Sequence, residues 1–365
     1  MHTVITTAAT QYYNRPKDER FASPQALLDF SVARKGASKQ IDYNLKDLQV
    51  VPSTAGHGAV QVQSPRGLAD LTPWSHSQLC KMLGAPAAYL RSLPSQIAAD
   101  ALNHGIKAST PGSTARLLAQ RKDSGVLLRA VTSEAYGRLY DADWLSPVVQ
   151  DLCVRQGWTN PPTWDGQPAG SYASDRDSFV VLVNGGSIVN DPSIRNGDGK
   201  MFRGIMLRNS EVGAAAWLME EVLYQYVCGN HNFWGAALGQ TYRRRHVGES
   251  VLRDVLRELG TMIRRISNRP ASTDETLIRS LIDLQVAETK DGVVDELRRM
   301  GATEQDAIDA YDRCEQKFAA SPRSYWGIAQ GLTSISQQSG FQDERLTLDQ
   351  LAAKILAKGR VAVAA

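Results

Sequence analysis

Hydrophobic side chains repeat with two different periods along this chain, and this change limits the folds open to it. Between residues 126 and 208, short apolar runs typical of strands, such as Ser178 to Val183, alternate with turn signals such as Asn184-Gly185-Gly186. From residue 249 onward, apolar residues recur every three or four positions, as on one face of a helix. Strands joined by tight turns favour antiparallel pairing. The sequence therefore predicts an α+β fold, with an antiparallel sheet flanked by helices and an all-helical C-terminal part.

Three regions follow from the length and from these patterns. The chain has 365 residues, more than the ~150 typical of one domain. A polar start with scattered charge predicts a loose arm over residues 1–23. Ser23 and Pro24 suit the beginning of a helix, and we expect an α+β core domain over 24–270. Residues 271–365 are predicted to be a helical region.

Two long helices are predicted inside the core domain. In the first, Asn209-Ser210 would cap a helix that extends to about residue 227, because apolar residues between 212 and 226 share one face at helical spacing. The second would extend from Glu249 to Ile266. Its apolar side would carry Leu252, Val255, Leu256, Leu259, Ile263 and Ile266.

Positive charge is concentrated in one stretch of the chain. The net charge is +3, but residues 243–269 contain eight arginines, no lysine and three acidic residues, a local net of +5. Arginine makes bidentate contacts to phosphate and stays charged at all relevant pH values. The alternative is a solvated helix face with pairs such as Glu249–Arg253. The nucleic-acid candidates in this stretch are Arg243, Arg244, Arg245, Arg253, Arg257 and Arg264.

Four further residues are candidates for the same role. Trp217 and Tyr224 would project from the second face of the first predicted helix, where they could stack on bases or form a second packed layer. Arg208 and Lys200 flank a predicted strand that leads into that helix, and a helix N-terminus attracts anions. These residues extend the predicted site for nucleic acid, with single-stranded DNA as the expected partner.

Carboxylates offer an alternative chemistry. Asp198 and Glu211 lie beside predicted strand ends, and a metal-dependent nuclease needs several such groups within a few ångström of each other. The pair Cys228-x-x-His231 lacks the further ligands of a zinc site, and no phosphate-loop, nucleophile-elbow or zinc-hydrolase motif occurs. We therefore expect no catalytic residue, metal or cofactor, with the nuclease kept as an alternative. A third alternative is a non-enzymatic protein that binds a host factor through its arginines.

Cysteine usage and hydropathy indicate the compartment. The four cysteines are far apart and form no Cys-x-x-Cys pair, which is typical of a reducing environment. The N-terminus has no secretory pattern, and no run of about 18 apolar residues occurs. We expect a cytoplasmic protein without a membrane partner, in the host cell if a phage encodes it.

Several segments resemble a phage and plasmid family known as domain of unknown function 932. The resemblance covers roughly residues 65–335, and the string Asn209-Ser210-Glu211-Val212-Gly213, in order with the others, is its most specific part. At one point the chain departs from the family, because His231 replaces a glycine. The other matching segments are residues 79–90, Arg129 to Ser133 with Tyr136 to Leu139, Gly197-Asp198 with Gly204, Val227 to Asn230, and Trp326-Gly327 to Thr333.

This resemblance implies a gene of phage or plasmid type that serves DNA metabolism, and it brings no established catalytic residues. A curved antiparallel sheet followed by a long helix is also the broad plan of the ring-forming single-strand annealing proteins. That likeness is one of fold, which does not establish function. The leading hypothesis is single-strand DNA binding and annealing in recombination, by a homo-oligomer.

Overall fold

Two six-stranded sheets and eleven α-helices make up the part of the chain that the structure describes. The computed structural model describes residues 16–161, 170–190, 200–227, 230–234, 241–336 and 342–364. The predicted α+β class, with helices beside the sheets and a helical C-terminal part, is confirmed. None of the helices in these ranges is long and apolar enough to span a membrane.

The first sheet comes from the N-terminal part of the chain and has the strand order β1-β5-β6-β4-β3-β2. All neighbours are antiparallel except β4 and β6, which are parallel. Leu79, Leu102, Leu117 and Leu128 lie in the core between this sheet and its helices. The elements are β1 (Ser38–Asn44), β2 (Gln49–Pro52), β3 (Val60–Ser64), β4 (Gly67–Leu71), α2 (Pro73–Met82), α3 (Ala87–Ser92), α4 (Ser95–Ala108), β5 (Thr114–Lys122) and β6 (Gly125–Thr132).

The second sheet is antiparallel and has the order β11-β10-β9-β8-β7, with β12 paired to the same outer edge of β10 as β11. Three helices, α1, α5 and α6, pack on one of its faces through residues such as Leu27, Trp144 and Val255. The elements are α1 (Pro24–Gly36), α5 (Asp141–Val148, continued as a π-helix over Val149–Val154), β7 (Ser171–Ala173), β8 (Ser178–Asn190), β9 (Lys200–Asn209), β10 (Trp217–Val227), β11 (Asn230–Trp234), β12 (Thr241–Arg244) and α6 (Val251–Asn268).

Helix α1 begins where the sequence predicts. The hydroxyl of Ser23 accepts a hydrogen bond from the backbone N–H of Ala26, which lacks a partner inside the helix, at 3.1 Å. Just before it, the N–H of Phe21 donates to the carbonyl of Ser171 at 2.9 Å. Residues at the end of the predicted arm are therefore bonded to β7.

The helix predicted from residue 210 to 227 does not form. Residues 210–216 are a turn and bend segment, and β10 occupies the rest. Successive side chains of β10 point to opposite faces: Trp217 and Met219 pack toward α6, whereas Leu218 and Val222 pack on the other side. Because both faces of residues 217–222 are buried, apolar residues do not alternate with polar ones there, and such a run cannot be told from a helix by periodicity.

Beyond residue 270 the described chain is helical, and these helices enclose a core of their own around Leu281, Trp326 and Leu356. Arg203 of β9 attaches this region to the second sheet. Its buried guanidinium donates to Asp274 and to the carbonyls of Arg269 and Pro270. The helices are α7 (Ala271–Asp283), α8 (Lys290–Arg299), α9 (Glu304–Lys317), α10 (Tyr325–Ser336) and α11 (Gln342–Ala364).

Replacing Gly331 with alanine should destabilise this helical region by about 1–3 kcal/mol, the usual cost of overpacking. Helix α10 passes so close to α9 that a Cβ at position 331 would overlap the backbone carbonyl of Ala310. The matched control is Gly260→Ala in α6, where the nearest atom, Nη1 of Arg264, lies 3.5 Å from the new Cβ. Alanine there should stabilise the protein by about 0.5–1 kcal/mol through helix propensity. Urea unfolding of both variants tests the pair, and equal effects would contradict it.

Candidate nucleic-acid interface

Helix α6 presents its charged side to solvent. Its apolar side, which includes Val255, Leu259 and Ile266, is buried against the second sheet. Arg253, Arg257 and Arg264 are exposed, and at about 100° per residue they fall within about 40° of one another on the opposite side. We call these three residues the arginine face. The predicted helix and the predicted placement of its arginines agree with the structure.

The members of the arginine face differ in their ionic partners. Arg257 lies near Asp254 at 3.8 Å and near Glu258 at 3.5 Å. Arg264 donates to the hydroxyl of Thr261 at 3.4 Å. Within the described residues, neither Arg253 nor Arg264 has an ion pair. In the part of the chain that the structure describes, two guanidinium groups on this face are therefore not neutralised by a carboxylate.

The arginine triplet that precedes α6 does not act as a unit. Arg244 lies opposite Trp217 on the sheet face that α6 covers, and it pairs with Asp254 at 3.0 Å. Arg243 lies opposite Leu218, and directly opposite residues of paired strands share a face. Arg243 therefore projects to the other face of the sheet, and Arg245 is exposed just after the strand. The sequence predicted that all three arginines lie in a linker. In the structure Arg243 and Arg244 belong to β12 and point to opposite faces of the sheet.

The last arginines of this stretch stabilise the fold. Arg265 pairs with Glu221 of β10, and Arg269 pairs with the same carboxylate at 2.6 Å. Glu221 is buried, and Arg269 also lies 3.4 Å from the buried Asp274. Part of the positive charge in residues 243–269 is thus used inside the protein.

The structure contradicts two of the other candidate residues. Trp217 is completely buried and contacts Trp144 and Tyr242 edge-on, so it cannot stack on a base. Arg208 donates to Asp177 at 2.9 Å, and no helix begins after it, so the predicted anion site at a helix N-terminus does not exist. The side chains of Lys200 and Tyr224 lie outside the described residues.

The string Asn209-Ser210-Glu211-Val212-Gly213 forms the joint between the two sheets. Asn209 donates to the carbonyl of Leu139 at 2.9 Å, and the Ser210 hydroxyl accepts from the N–H of Ala214 at 2.9 Å. The carbonyl of Val212 accepts hydrogen bonds from Trp74 and Gln78 of α2, and Gly213 has a φ of +83°. Asn209, Ser210 and Gly213 of the string therefore each have a structural reason for their identity.

A cluster of four buried charges lies beside this string and also connects the two sheets. Arg34 of α1 donates to Asp141 at the start of α5, at 2.7 Å. Arg129 of β6 donates to Glu211 at 2.6 Å, and the guanidinium of Arg34 lies 3.5 Å from the same carboxylate. We call Arg34, Arg129, Asp141 and Glu211 the clasp. It connects the first sheet, the second sheet and two helices.

Opposite charges and backbone donors compensate the burial of the clasp. Burial by itself would raise the pKa of Glu211, but the guanidinium groups of Arg34 and Arg129 hold the pKa below its usual value. Burial and the nearby charge of Glu211 raise the pKa of Asp141. Asp141 also accepts hydrogen bonds from Ser178 and Asn209, both at 2.7 Å, while its own N–H donates to Glu211.

The nuclease alternative required Glu211 and Asp198 to converge on a metal. Glu211 is instead fully occupied by two arginines and a backbone N–H, and Asp198 lies outside the described residues. In the ranges that the structure describes, no group of three or more histidine, cysteine, aspartate or glutamate residues is placed to hold a metal ion.

Sequence reasoning considered Glu211 as a metal ligand and did not predict the clasp, although one signal for it was present. Arg129 interrupts the apolar run of β6, as Arg203 interrupts that of β9. A charged residue inside an otherwise apolar strand is almost never fully buried without a partner of opposite charge. The signal indicates that a partner exists, but it does not identify Glu211.

Comparison of the chain with protein-family models, with curated proteins and with solved structures found no match in any of the three. The resemblance to the phage and plasmid family stays a prediction. The arginine face and its surroundings are therefore the features of the molecule that bear on its function.

Proposed function

We propose that this protein binds nucleic acid, with single-stranded DNA as its substrate, through the arginine face of α6. The observation that carries the proposal is the exposure of Arg253 and Arg264 without an ion pair in the described part of the chain. Arginines that stabilise a helix surface through ion pairs do so with a carboxylate three or four residues away. Guanidinium groups without such partners are suited to phosphate, which they bind in a bidentate manner.

The geometry of α6 also fits an extended phosphate backbone. At 1.5 Å of rise per residue, Arg253 and Arg264 lie about 16 Å apart along the helix, with Arg257 between them. Arg245 is exposed at the loop that leads into this helix. Several phosphates of one strand can therefore be contacted along a single line.

Replacing Arg253 and Arg264 together with glutamine should weaken binding to a fluorescent strand of about 40 nucleotides by roughly tenfold at 50 mM salt and less at 200 mM, because fewer counterions are released. Each phosphate contact contributes about 0.7 to the slope of log affinity against log salt for a single strand, so two lost contacts should reduce the slope by about 1.4. Fluorescence anisotropy across this salt range measures both quantities.

The matched control is the pair Arg298→Gln and Arg299→Gln on α8. These arginines are also exposed, and the double substitution removes the same charge. Unlike Arg253 and Arg264, they lie near acidic side chains. Arg298 is 3.5 Å from Glu304, and Arg299 is 2.6 Å from Glu296. We expect the control to bind as the unchanged protein does. Equal loss in both double variants would mean that binding follows net charge alone, and absence of binding at low salt would remove the proposal.

The resemblance adds three parts to the proposal. They are annealing of complementary strands, a role in phage or plasmid recombination, and assembly from several copies of the chain. An annealing assay with complementary strands, combined with measurement of the mass of the DNA complex, tests these parts of the proposal. Binding without annealing would leave a single-strand binding protein.

A further inference from the structure

An open groove lies beside the arginine face, between helices α1, α5 and α6. It has a volume of about 840 Å³, within the range of ~300–1,000 Å³ that is usual for small-molecule sites. Apolar side chains line much of it, including Val32 of α1, Pro147 of α5 and Leu256 and Ile263 of α6. Val32 and Leu256 are 54% and 37% exposed, so this apolar surface is accessible to a ligand.

Gly260 connects the groove to the arginine face. It lines the groove, and on α6 it lies three residues after Arg257 and four before Arg264, which makes it a surface neighbour of both. A Cβ at this position would lie 3.5 Å from Nη1 of Arg264. The guanidinium of Arg264 is therefore at the mouth of the groove, and the missing side chain leaves that mouth open.

The charges around the groove indicate the kind of ligand. On the wall formed by α5 and the π-helix, Asp143 pairs with Lys35 at 2.5 Å and Asp151 pairs with Arg155 at 2.7 Å. On the α6 side, Arg264 has no ion pair in the described part of the chain. Because the acidic wall is neutralised by its own lysine and arginine, the uncompensated charge beside the groove is positive.

We infer that the groove receives a nucleobase of the strand whose phosphates lie on Arg257 and Arg264. This inference rests on the proposed function. It adds a physical reason why the protein would select single strands over duplexes. A phosphate attracts guanidinium groups, and the flat apolar face of an unstacked base fits between aliphatic side chains. Bases of a duplex are stacked and paired, so their faces cannot enter the groove, whereas those of a single strand can.

The test uses Gly260→Leu, which fills the mouth of the groove and removes no charged group. Leucine has a higher helix propensity than glycine, so α6 should persist. The probes are an oligodeoxythymidine strand and an abasic strand of the same length and charge. The unchanged protein should bind the strand with bases about tenfold more tightly, since base contacts in single-strand sites have effects of this order. Gly260→Leu should bind the two strands equally, and Gly260→Ala should keep the preference.

Leu256→Ser provides a second variant from the same wall, and it should also reduce the preference. If Gly260→Leu and Leu256→Ser discriminate between the strands as the unchanged protein does, the groove does not hold a base, and the proposed function still stands. If the unchanged protein binds neither strand, both proposals fail. If it instead binds an acidic amphipathic peptide, and Gly260→Leu prevents this, the groove is a protein-docking site and the nucleobase inference is overturned.

Discussion

Glu211→Gln should destabilise the protein by about 3–5 kcal/mol, because removing one partner of a buried ion pair leaves uncompensated charge inside the fold. Glutamine has nearly the same size, so packing is retained while the charge is lost. The carboxylate of Asp141 would then be the one negative charge left in the clasp. It pairs with Arg34, so Arg129 would lose its ion pair within the clasp. Urea unfolding monitored by circular dichroism measures the change in the free energy of unfolding.

Asp151→Asn is the matched control for this experiment. Its partner Arg155 is one helical turn away and both side chains are exposed, and exposed pairs of this kind contribute about 0.5 kcal/mol or less. A second test replaces both members of the buried pair, Arg129→Met with Glu211→Leu. The double variant should be more stable than either single variant, since no unpaired charge remains from that pair. If Glu211→Gln unfolds like the control, the clasp does not exclude water and our account of it is wrong.

We expect the protein to lose stability between about pH 5 and pH 9, and Glu220→Gln should abolish this loss. Glu220 is 1% exposed and lies in the middle of β10. Burial raises the pKa of its carboxyl from 4.5 to about 8, although Thr241 of β12 donates a hydrogen bond to it at 3.1 Å. Within the described residues, its second carboxylate oxygen has no hydrogen-bond partner.

The direction of this pH dependence follows from the raised pKa. The folded state binds the proton more tightly than the unfolded state does, so the stabilisation is complete below about pH 4.5 and is lost as the pH rises through about 8. A shift of this size corresponds to roughly 3–5 kcal/mol, at about 1.4 kcal/mol per pKa unit. Glutamine stays neutral, so the variant should match the unchanged protein near pH 5 and exceed it near pH 9.

Urea unfolding at three pH values between these limits tests the prediction, with the exposed Glu315→Gln as the control. The control should follow the pH profile of the unchanged protein. If Glu220→Gln follows it as well, another buried group is responsible for the pH dependence.

Local patterns in the sequence were sufficient for much of the helical structure. The apolar repeat of α6 predicted both the helix and the direction of Arg253, Arg257 and Arg264. Ser23 predicted the beginning of α1. These features depend on residues within one or two turns of each other, and the hydrogen bonds and caps that stabilise them are formed inside the same short segment.

The tertiary structure decided the features that depend on distant residues. The sequence of β10 resembles that of a helix because both faces of residues 217–222 are buried, and pairing with β9, β11 and β12 makes the segment a strand. Arg129 and Glu211 are 82 residues apart in sequence, and no short segment contains both. The sequence by itself determined the helix that carries the arginine face and the helices beyond residue 270. The packing of the two sheets decided which arginines pair with buried carboxylates and which stay exposed on α6, because a buried ion pair forms only where the fold brings two distant charges together out of water.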